Sequence, residues 1–207
     1  MNTFIITLII LSAGLAVWGK YSRIHFHYVF KPLTMILIIL LAILTGWGEP
    51  IPYKYLILSA LIFSLIGDLF IMLQRQNPIK GLLAFLIAHI FYIAAFLQGI
   101  EFFHSLILIP IFVYAAIFFI YLQKGLNKLR IPVLIYIVAI SLMGCMAVNR
   151  YLNLQDEKSL LAFLGAVFFL VSESFWAINR FKKPFAWAEI IILGTYFSAQ
   201  TLLALSV

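Results

Sequence analysis

The sequence predicts an all-α integral membrane protein, a bundle of about eight transmembrane helices. Hydrophobic residues make up 65% of the 207 residues and charged residues only 10%, against about 25% charged residues in soluble globular domains. Apolar runs of about 17 or more residues recur along the whole chain, and runs of this length are typical of helices that cross a bilayer. We therefore expect residues 1–207 to form a single polytopic transmembrane domain.

Eight spans can be read along the chain, joined by short connectors. The first apolar run, from Asn2 to Trp18, has no basic start and no small-residue cleavage site, so we expect a retained span rather than a signal peptide. Four prolines fall at or just before predicted helix starts, where a missing N–H has no consequence. They are Pro32, Pro78, Pro132 and Pro184. The predicted spans are roughly 2–18, 30–46, 54–74, 79–99, 102–122, 131–148, 158–178 and 186–206.

The basic residues of the connectors predict an orientation. Of the 14 lysines and arginines, all but Lys54, Arg150 and Lys158 fall in the first, third, fifth and seventh connectors, which hold no acid. The positive-inside rule places these connectors in the cytoplasm, so both termini face outward. We expect a multi-pass protein of the bacterial inner membrane. Because the net charge of +7 lies beside the spans, we expect membrane lipids and no nucleic acid as partners.

A weak internal repeat indicates two four-helix halves in parallel orientation. Residues of the second, third and fourth spans match residues of the sixth, seventh and eighth at separations of 100 to 105 residues. Parallel repeats of this kind build some membrane proteins, and chance similarity is the alternative in so apolar a chain. The matching pairs are Pro32 with Pro132, Asp68 with Glu173, and Tyr92 with Tyr196.

Three acids, Asp68, Glu173 and Glu189, lie within the apolar spans. Ionisable groups in such spans are costly, and they usually face the bundle interior and mark function. A helix rises about 1.5 Å per residue, which places Asp68 and Glu173 each roughly 10 Å from the cytoplasmic boundary. Glu189 and His89 share about that level. Four titratable groups from four helices are therefore predicted to meet at one depth, in the cytoplasmic half of the membrane.

Helical spacing extends this group into polar stripes that can face a shared cavity. Structural roles are the alternative: serines can hold the two acids Asp68 and Glu173, His89 alone is more typical of helix packing than of a ligand, and Glu189 fits an interfacial pair with Lys182 or Lys183. Tyr196 and Gln200 stay open between the two readings. The stripes comprise Ser64, Asp68 and Arg75, then His89 and Tyr92, then Glu189, Tyr196 and Gln200; the serines within reach of the acids are Ser64, Ser172 and Ser174.

Several kinds of site are excluded by the sequence. There is no glycine-rich phosphate loop, no His-x-x-x-His or Cys-x-x-Cys pair for a metal, and no Gly-x-Ser-x-Gly elbow. The single cysteine, Cys145, excludes a disulfide framework. What remains is a pair of carboxylates with a histidine and tyrosines nearby, and we expect neither a metal nor another cofactor.

Two segments resemble the core of the YhhN family, also called the TMEM86 family. They are Phe63 to Met72, which contains Gly67-Asp68, and Gly81 to Tyr92, which contains His89-Ile-Phe-Tyr92. The resemblance also covers Lys31-Pro32, residues 165–174 and residues 195–200. One departure concerns the seventh span, which reads Ser172-Glu173-Ser174 where the family usually has Ser-Asp-Ser. The carboxylate is kept, and its side chain is longer by one methylene.

The resemblance implies a lysoplasmalogenase, which hydrolyses the vinyl ether bond of a lysoplasmalogen to a fatty aldehyde and glycerophospho-ethanolamine or -choline. Protonation of the vinyl carbon gives an oxocarbenium ion that water captures, so a proton donor and an anionic group are needed, as in glycoside hydrolysis. Burial and a second nearby acid favour the neutral form of a carboxyl group, so one member of a pair can hold a proton while the other stays charged. We expect Asp68 and Glu173 to form this catalytic pair.

The other polar residues are expected to bind the lysophospholipid substrate. Lys31 would hold its phosphate, and the histidine and tyrosines would orient the headgroup or water. The main alternative function is a proton-coupled small-molecule or lipid transporter, because acids inside the membrane and an internal repeat also fit a carrier. A lipid-binding protein without chemistry is the third. The predicted substrate-binding residues are Lys31, His89, Tyr92, Ser172, Tyr196 and Gln200.

Overall fold

The computed structural model describes residues 2–45, 51–73 and 78–207. The regular elements of these residues are all helical, which confirms the predicted all-α class. One 3₁₀ turn precedes α5 and another follows it. The α-helices are α1 (Asn2–Ser22), α2 (Ile24–Thr45), α3 (Ile51–Leu73), α4 (Ile79–Phe96), α5 (Leu108–Leu126), α6 (Arg130–Leu154), α7 (Glu157–Phe181) and α8 (Ala188–Leu205).

Seven helical segments in the described residues are long and apolar enough to cross a membrane. One of them, Ser105–Leu154, has 50 residues and contains both α5 and α6. At about 1.5 Å per residue it would extend about 75 Å, more than twice the hydrocarbon thickness of about 30 Å. The positive φ of 45° at Asn127 interrupts it, and α5 packs beside α6. The segment therefore supplies two crossings, in agreement with about eight spans.

The start of α2 differs from the prediction. The helix begins at Ile24 rather than near residue 30, so Lys31 and Pro32 lie inside it and not in a connector. Proline is tolerated inside a membrane helix where neighbouring helices pack against it. Close by, Ser12 of α1 and Thr34 of α2 both donate to the carbonyl of Phe30, at 3.2 and 2.7 Å, which joins α1 to α2. This extension carries the Lys31 ammonium into the bundle.

A second correction concerns Arg150, which the sequence places in a connector. It lies inside α6, only 6% exposed, where its guanidinium donates to the Gln98 carbonyl and stacks on the Tyr53 ring at 4.2 Å. The neighbouring Asn149 accepts from the backbone of His104. Arg150 and Asn149 thus fasten the α4–α5 connector to α6.

Glycines set the close approach of α3 to α4 and of α7 to α8. A Cβ atom added at Gly67 would lie 2.6 Å from a ring carbon of Phe85, and one added at Gly165 would lie 2.8 Å from Cγ of Leu203. The two helix pairs occupy matching places in the proposed halves, but the internal repeat stays a prediction. Gly67 precedes Asp68, so the Gly-Asp motif combines a packing residue with a candidate functional one.

We expect Gly67→Ala to lower the free energy of unfolding by about 1–3 kcal/mol, because the added methyl overpacks the interface. The Phe85 ring has little room to yield, since it packs against Phe169 and Tyr196 with centroids 6.3 and 6.2 Å away. Thermal unfolding of purified protein measures the effect. Gly14→Ala is the matched control, because no atom lies within 4 Å of its added Cβ. Equal melting temperatures for the two variants would contradict this packing role.

Candidate active site

Asp68 is a buried carboxylate with two partners from other helices. It lies in α3 and is 3% exposed. The ammonium of Lys31, from α2, lies 2.8 Å from its Oδ1, and the hydroxyl of Tyr196, from α8, donates to its Oδ2 at 2.7 Å. Burying a charge in this way requires a paired charge and hydrogen bonds. Two consecutive helices, α2 and α3, and the distant α8 therefore converge on one carboxylate.

Glu173, in α7, has a different environment. The hydroxyl of Tyr136, from α6, donates to its Oε2 at 2.8 Å. Among the described residues, no lysine, arginine or histidine lies within salt-bridge distance of this carboxyl group. Each acid thus has its own tyrosine partner, Tyr196 for Asp68 and Tyr136 for Glu173.

Aromatic side chains link the two acids. The Phe169 ring packs against those of Tyr196 and His89, with centroids 5.7 and 5.1 Å away, and the His89 ring packs against that of Tyr136 at 5.1 Å. His89 is fully buried, and neither ring nitrogen makes a hydrogen bond of standard geometry with another described residue. The His89 ring thus lies between the partners of the two acids, and its predicted role in substrate binding stays a prediction.

Tyr92 and Gln200 form a buried hydrogen bond deeper in the bundle. The Tyr92 hydroxyl donates to Oε1 of Gln200 at 2.7 Å, and both residues are fully buried. Gln200 lies one turn after Tyr196, the partner of Asp68, in α8. The hydrogen bond between Tyr92 and Gln200 thus joins α4 to α8 next to that tyrosine.

A cavity of about 340 Å³ has four charged side chains in its lining, for which we call it the polar cavity, and one of them is Lys31, the partner of Asp68. Lys31 lies in its lining, with Lys20, Arg180 and Glu189. Glu189 pairs with Lys20 of α1 at 2.7 Å, so the predicted interfacial ion pair exists with this lysine rather than with Lys182 or Lys183. The lining therefore carries more basic than acidic groups. Such a cavity favours an anionic group.

An apolar crevice between α5, α6 and α7 contacts Glu173. It has a volume of about 30 Å³ and is lined by Glu173, Tyr136 and mostly apolar side chains. The Tyr114 hydroxyl lies 2.6 Å from Oγ of Ser174 at this crevice. Trp176 lines both the crevice and the polar cavity. Glu173 therefore lines the apolar crevice, the Lys31 partner of Asp68 lines the polar cavity, and Trp176 lines both.

Serines do not hold the acids in the described structure. Ser172 is fully buried and donates to the Ile192 carbonyl at 2.9 Å, which joins α7 to α8. Ser174 donates to the Leu170 carbonyl at 2.6 Å. Ser172 thus joins two helices in the structure, and its predicted contact with the substrate stays a prediction. Arg75, predicted to share a face with Asp68, lies outside the described residues.

Sequence reasoning missed Tyr136, Phe169 and Trp176. All three lie in apolar runs where aromatic residues are common. Depth was the one usable signal, because Tyr136 is six residues after Arg130, roughly 9 Å into the membrane and close to the level of the acids. The predicted site residues that the structure brings together are Lys31, Asp68, His89, Tyr92, Glu173, Tyr196 and Gln200.

Comparison with known proteins identifies relatives over nearly the whole chain. The protein from Escherichia coli O157:H7 named "Uncharacterized membrane protein YhhN" is 29% identical over 201 residues, which cover 95% of this chain and 94% of the relative. The human protein named "Lysoplasmalogenase TMEM86A" is 31% identical over 181 residues, 84% of this chain and 74% of the relative. The mouse protein named "Lysoplasmalogenase TMEM86B" is 27% identical, over 85% of this chain and 72% of the relative.

No solved structure matches the chain. The profile of the YhhN family matches residues 26–207. That range includes Asp68, Glu173 and each of the side chains that contact them. The predicted resemblance is therefore confirmed, and the chain belongs to the YhhN family of membrane proteins.

Proposed function

We propose that this protein is a lysoplasmalogenase, a membrane hydrolase that cleaves the vinyl ether bond of a lysoplasmalogen. The supporting observation is the pair of carboxyl groups on α3 and α7, one bound to a lysine and the other not. In the proposed hydrolysis of a vinyl ether, one carboxyl group is neutral and donates a proton, and the other is ionised and stabilises the cation. The names of the relatives, lysoplasmalogenases of the same family, support the choice of substrate.

In this proposal Glu173 is the proton donor and Asp68 is the anion. The ammonium of Lys31 and the hydroxyl of Tyr196 both stabilise the ionised form of Asp68. Glu173 has only a tyrosine hydroxyl as a close partner and lies beside an apolar crevice. Such surroundings favour a neutral carboxyl group. The assignment rests on the contacts of the two acids. Their predicted depth in the membrane is the same and does not distinguish them.

The reaction would then begin with two proton transfers through Glu173. Glu173 donates its proton to the vinyl carbon distal to the ether oxygen, and the carbon next to that oxygen becomes part of an oxocarbenium ion. The Asp68 carboxylate stabilises this cation. The ionised Glu173 accepts a proton from the attacking water, which adds to the cation to give a hemiacetal. As the hemiacetal collapses, its hydroxyl proton passes to the departing glycerol oxygen, which gives a fatty aldehyde and the glycerophospho alcohol with one water consumed.

The polar cavity is suited to the headgroup of this substrate. The Lys31 ammonium has three N–H donors, so it can contact Asp68 and a phosphate oxygen together. Arg180 and Lys20 add positive charge in the same lining. A phosphate held there would place the neighbouring glycerol and its vinyl ether beside the carboxyl groups.

Aldehyde release from lysoplasmalogen is the test of the proposed function. Purified protein in detergent should release the fatty aldehyde, and the acyl and alkyl-ether lysolipids of the same headgroup should not yield it, because neither contains a vinyl ether. Glu157→Gln should leave the rate unchanged, since this acid is exposed at the start of α7. Absence of aldehyde, together with proton-coupled flux into liposomes, would favour a carrier and overturn the proposal.

A further inference from the structure

Described residues line two apolar cavities between helices, and of this pair the smaller contains a residue of the carboxylate site. The larger, of about 880 Å³, lies mainly between α1 and α8. Its lining contains no charged side chain and shares no residue with the polar cavity. The smaller is the crevice between α5, α6 and α7, which contains Glu173 and shares Trp176 with the polar cavity. The larger cavity has more room for a lipid chain, whereas the smaller one contains the carboxyl group that is proposed to donate the proton.

We propose that the crevice between α5, α6 and α7 binds the hydrocarbon chain of a single-chain lipid whose headgroup occupies the polar cavity. This inference rests on the function proposed above and extends it. The two ends of the substrate are assigned to two separate cavities that are both lined by Trp176. The bond to be cleaved lies between the headgroup and the chain, so it would lie beside Trp176.

The lining of the crevice combines a few polar groups with many apolar side chains, a composition that suits the part of an amphiphile next to its headgroup. Its polar groups are the Glu173 carboxyl and hydroxyls, including that of Tyr136, while side chains such as Phe118, Val133 and Leu170 offer only hydrocarbon. A polar solute would lose its hydration against this wall without regaining hydrogen bonds. A hydrocarbon chain loses nothing there and is held by dispersion contacts.

The crevice must widen to admit a chain, and α5 is the helix that can move. A volume of about 30 Å³ holds little more than one water. Among the described elements, α5 packs only against α6, α7 and the 3₁₀ turns beside it. The hydrogen bond between Tyr114 and Ser174 spans α5 and α7 at the crevice, and Tyr114 is 38% exposed. Moving α5 outward exchanges protein contacts for lipid contacts of similar polarity.

Photo-crosslinking locates the chain directly. The probe is a lysophosphatidylethanolamine with a hexadecyl ether chain and a diazirine midway along that chain. This probe contains no bond that the proposed reaction cleaves. After irradiation of the wild-type protein, peptide mass spectrometry should find adducts on α5, α6 and α7 at the crevice. Excess unlabelled lysolipid should remove them. Adducts confined to α1 and α8, or no adducts that unlabelled lysolipid removes, would overturn the proposal.

A matched pair of substitutions tests the same point by kinetics. Ala177→Leu fills the crevice, whereas Gly194→Leu fills the cavity between α1 and α8, where no atom lies within 4 Å of the added Cβ. We expect Ala177→Leu to raise KM about tenfold for a long-chain lysoplasmalogen and much less for a short-chain one. Gly194→Leu should leave both values unchanged. The opposite pattern would assign the chain to the α1–α8 cavity and overturn the proposal.

The outcomes separate this inference from the function on which it rests. Adducts at the crevice without aldehyde release would sustain the lipid site and reject the hydrolase. Aldehyde release with adducts only between α1 and α8 would sustain the hydrolase and reject the crevice as its chain site.

Discussion

Asp68→Asn is expected to reduce aldehyde release by about 10³-fold. The substitution keeps the size of the side chain and removes the negative charge that stabilises the oxocarbenium ion, and losing one preorganised electrostatic group of this kind costs about 10²–10³ in kcat. It also leaves the Lys31 ammonium, 11% exposed, without its carboxylate. Steady-state aldehyde release at saturating lysoplasmalogen measures the effect on kcat.

Loss of stability has to be separated from loss of chemistry for this variant. Breaking a buried ion pair from one side costs about 3–5 kcal/mol, whereas removing both charges often costs far less. The double variant Lys31→Met/Asp68→Asn should therefore recover most of the melting temperature lost by Asp68→Asn alone. Its activity should stay low. Recovery of activity together with stability would show that Asp68 is structural.

Glu173→Gln is expected to lower kcat by about 10²–10⁴-fold, the usual contribution of a positioned proton donor. The amide cannot transfer a proton at neutral pH, yet it can still accept the hydrogen bond from Tyr136. The fold should therefore persist, and the melting temperature should stay near that of the wild type. Aldehyde release and thermal unfolding, measured on one preparation, check both statements. A Glu173→Gln variant as active as the wild type would remove Glu173 from the chemistry.

Glu173→Asp examines the position of the acid. This change makes the motif Ser-Asp-Ser, the usual family sequence, but shortens the side chain by one methylene while Tyr136 stays in place. A misplacement of about 1 Å can cost about 10²-fold in rate, so we expect a partial loss of aldehyde release, smaller than that of Glu173→Gln. We expect the presence of the carboxyl group to matter more than the length of the side chain that carries it. A loss as large as that of Glu173→Gln would contradict this.

Much of this fold could be predicted because the chain is so apolar. Long hydrophobic runs must form helices in a bilayer, where every backbone group has to be satisfied within its own segment. The sequence also predicts one depth for Asp68 and Glu173, because helix rise is constant and the basic connectors mark a common level. In the structure Tyr196, the partner of Asp68, packs on Phe169, and Tyr136, the partner of Glu173, packs on His89, while Phe169 and His89 pack together. The shared depth in a membrane stays a prediction.

The contacts between helices could not be predicted in the same way. The sequence places Lys31 in a connector because Pro32 is typical of a helix start. Nothing local shows that α2 begins earlier, at Ile24, and is joined to α1 by the hydrogen bond from Ser12 to the Phe30 carbonyl. Tyr136 escapes sequence reasoning because it has no polar neighbour in its own sequence. Its partner, the carboxyl group on α7, lies 37 residues away in the chain. Pairing between helices is a property of the packed bundle.

The ion pair between Lys31 and Asp68 has a consequence for biogenesis. Each charge alone would oppose insertion of its helix by about 2.5–3.5 kcal/mol at the bilayer centre, and less nearer the interface. As consecutive segments, α2 and α3 can enter the membrane as a neutralised hairpin. The second partner of the carboxylate, Tyr196, belongs to α8, which leaves the ribosome long after α2 and α3. The hydrogen bonds around Asp68 would therefore stay incomplete until α8 has been inserted.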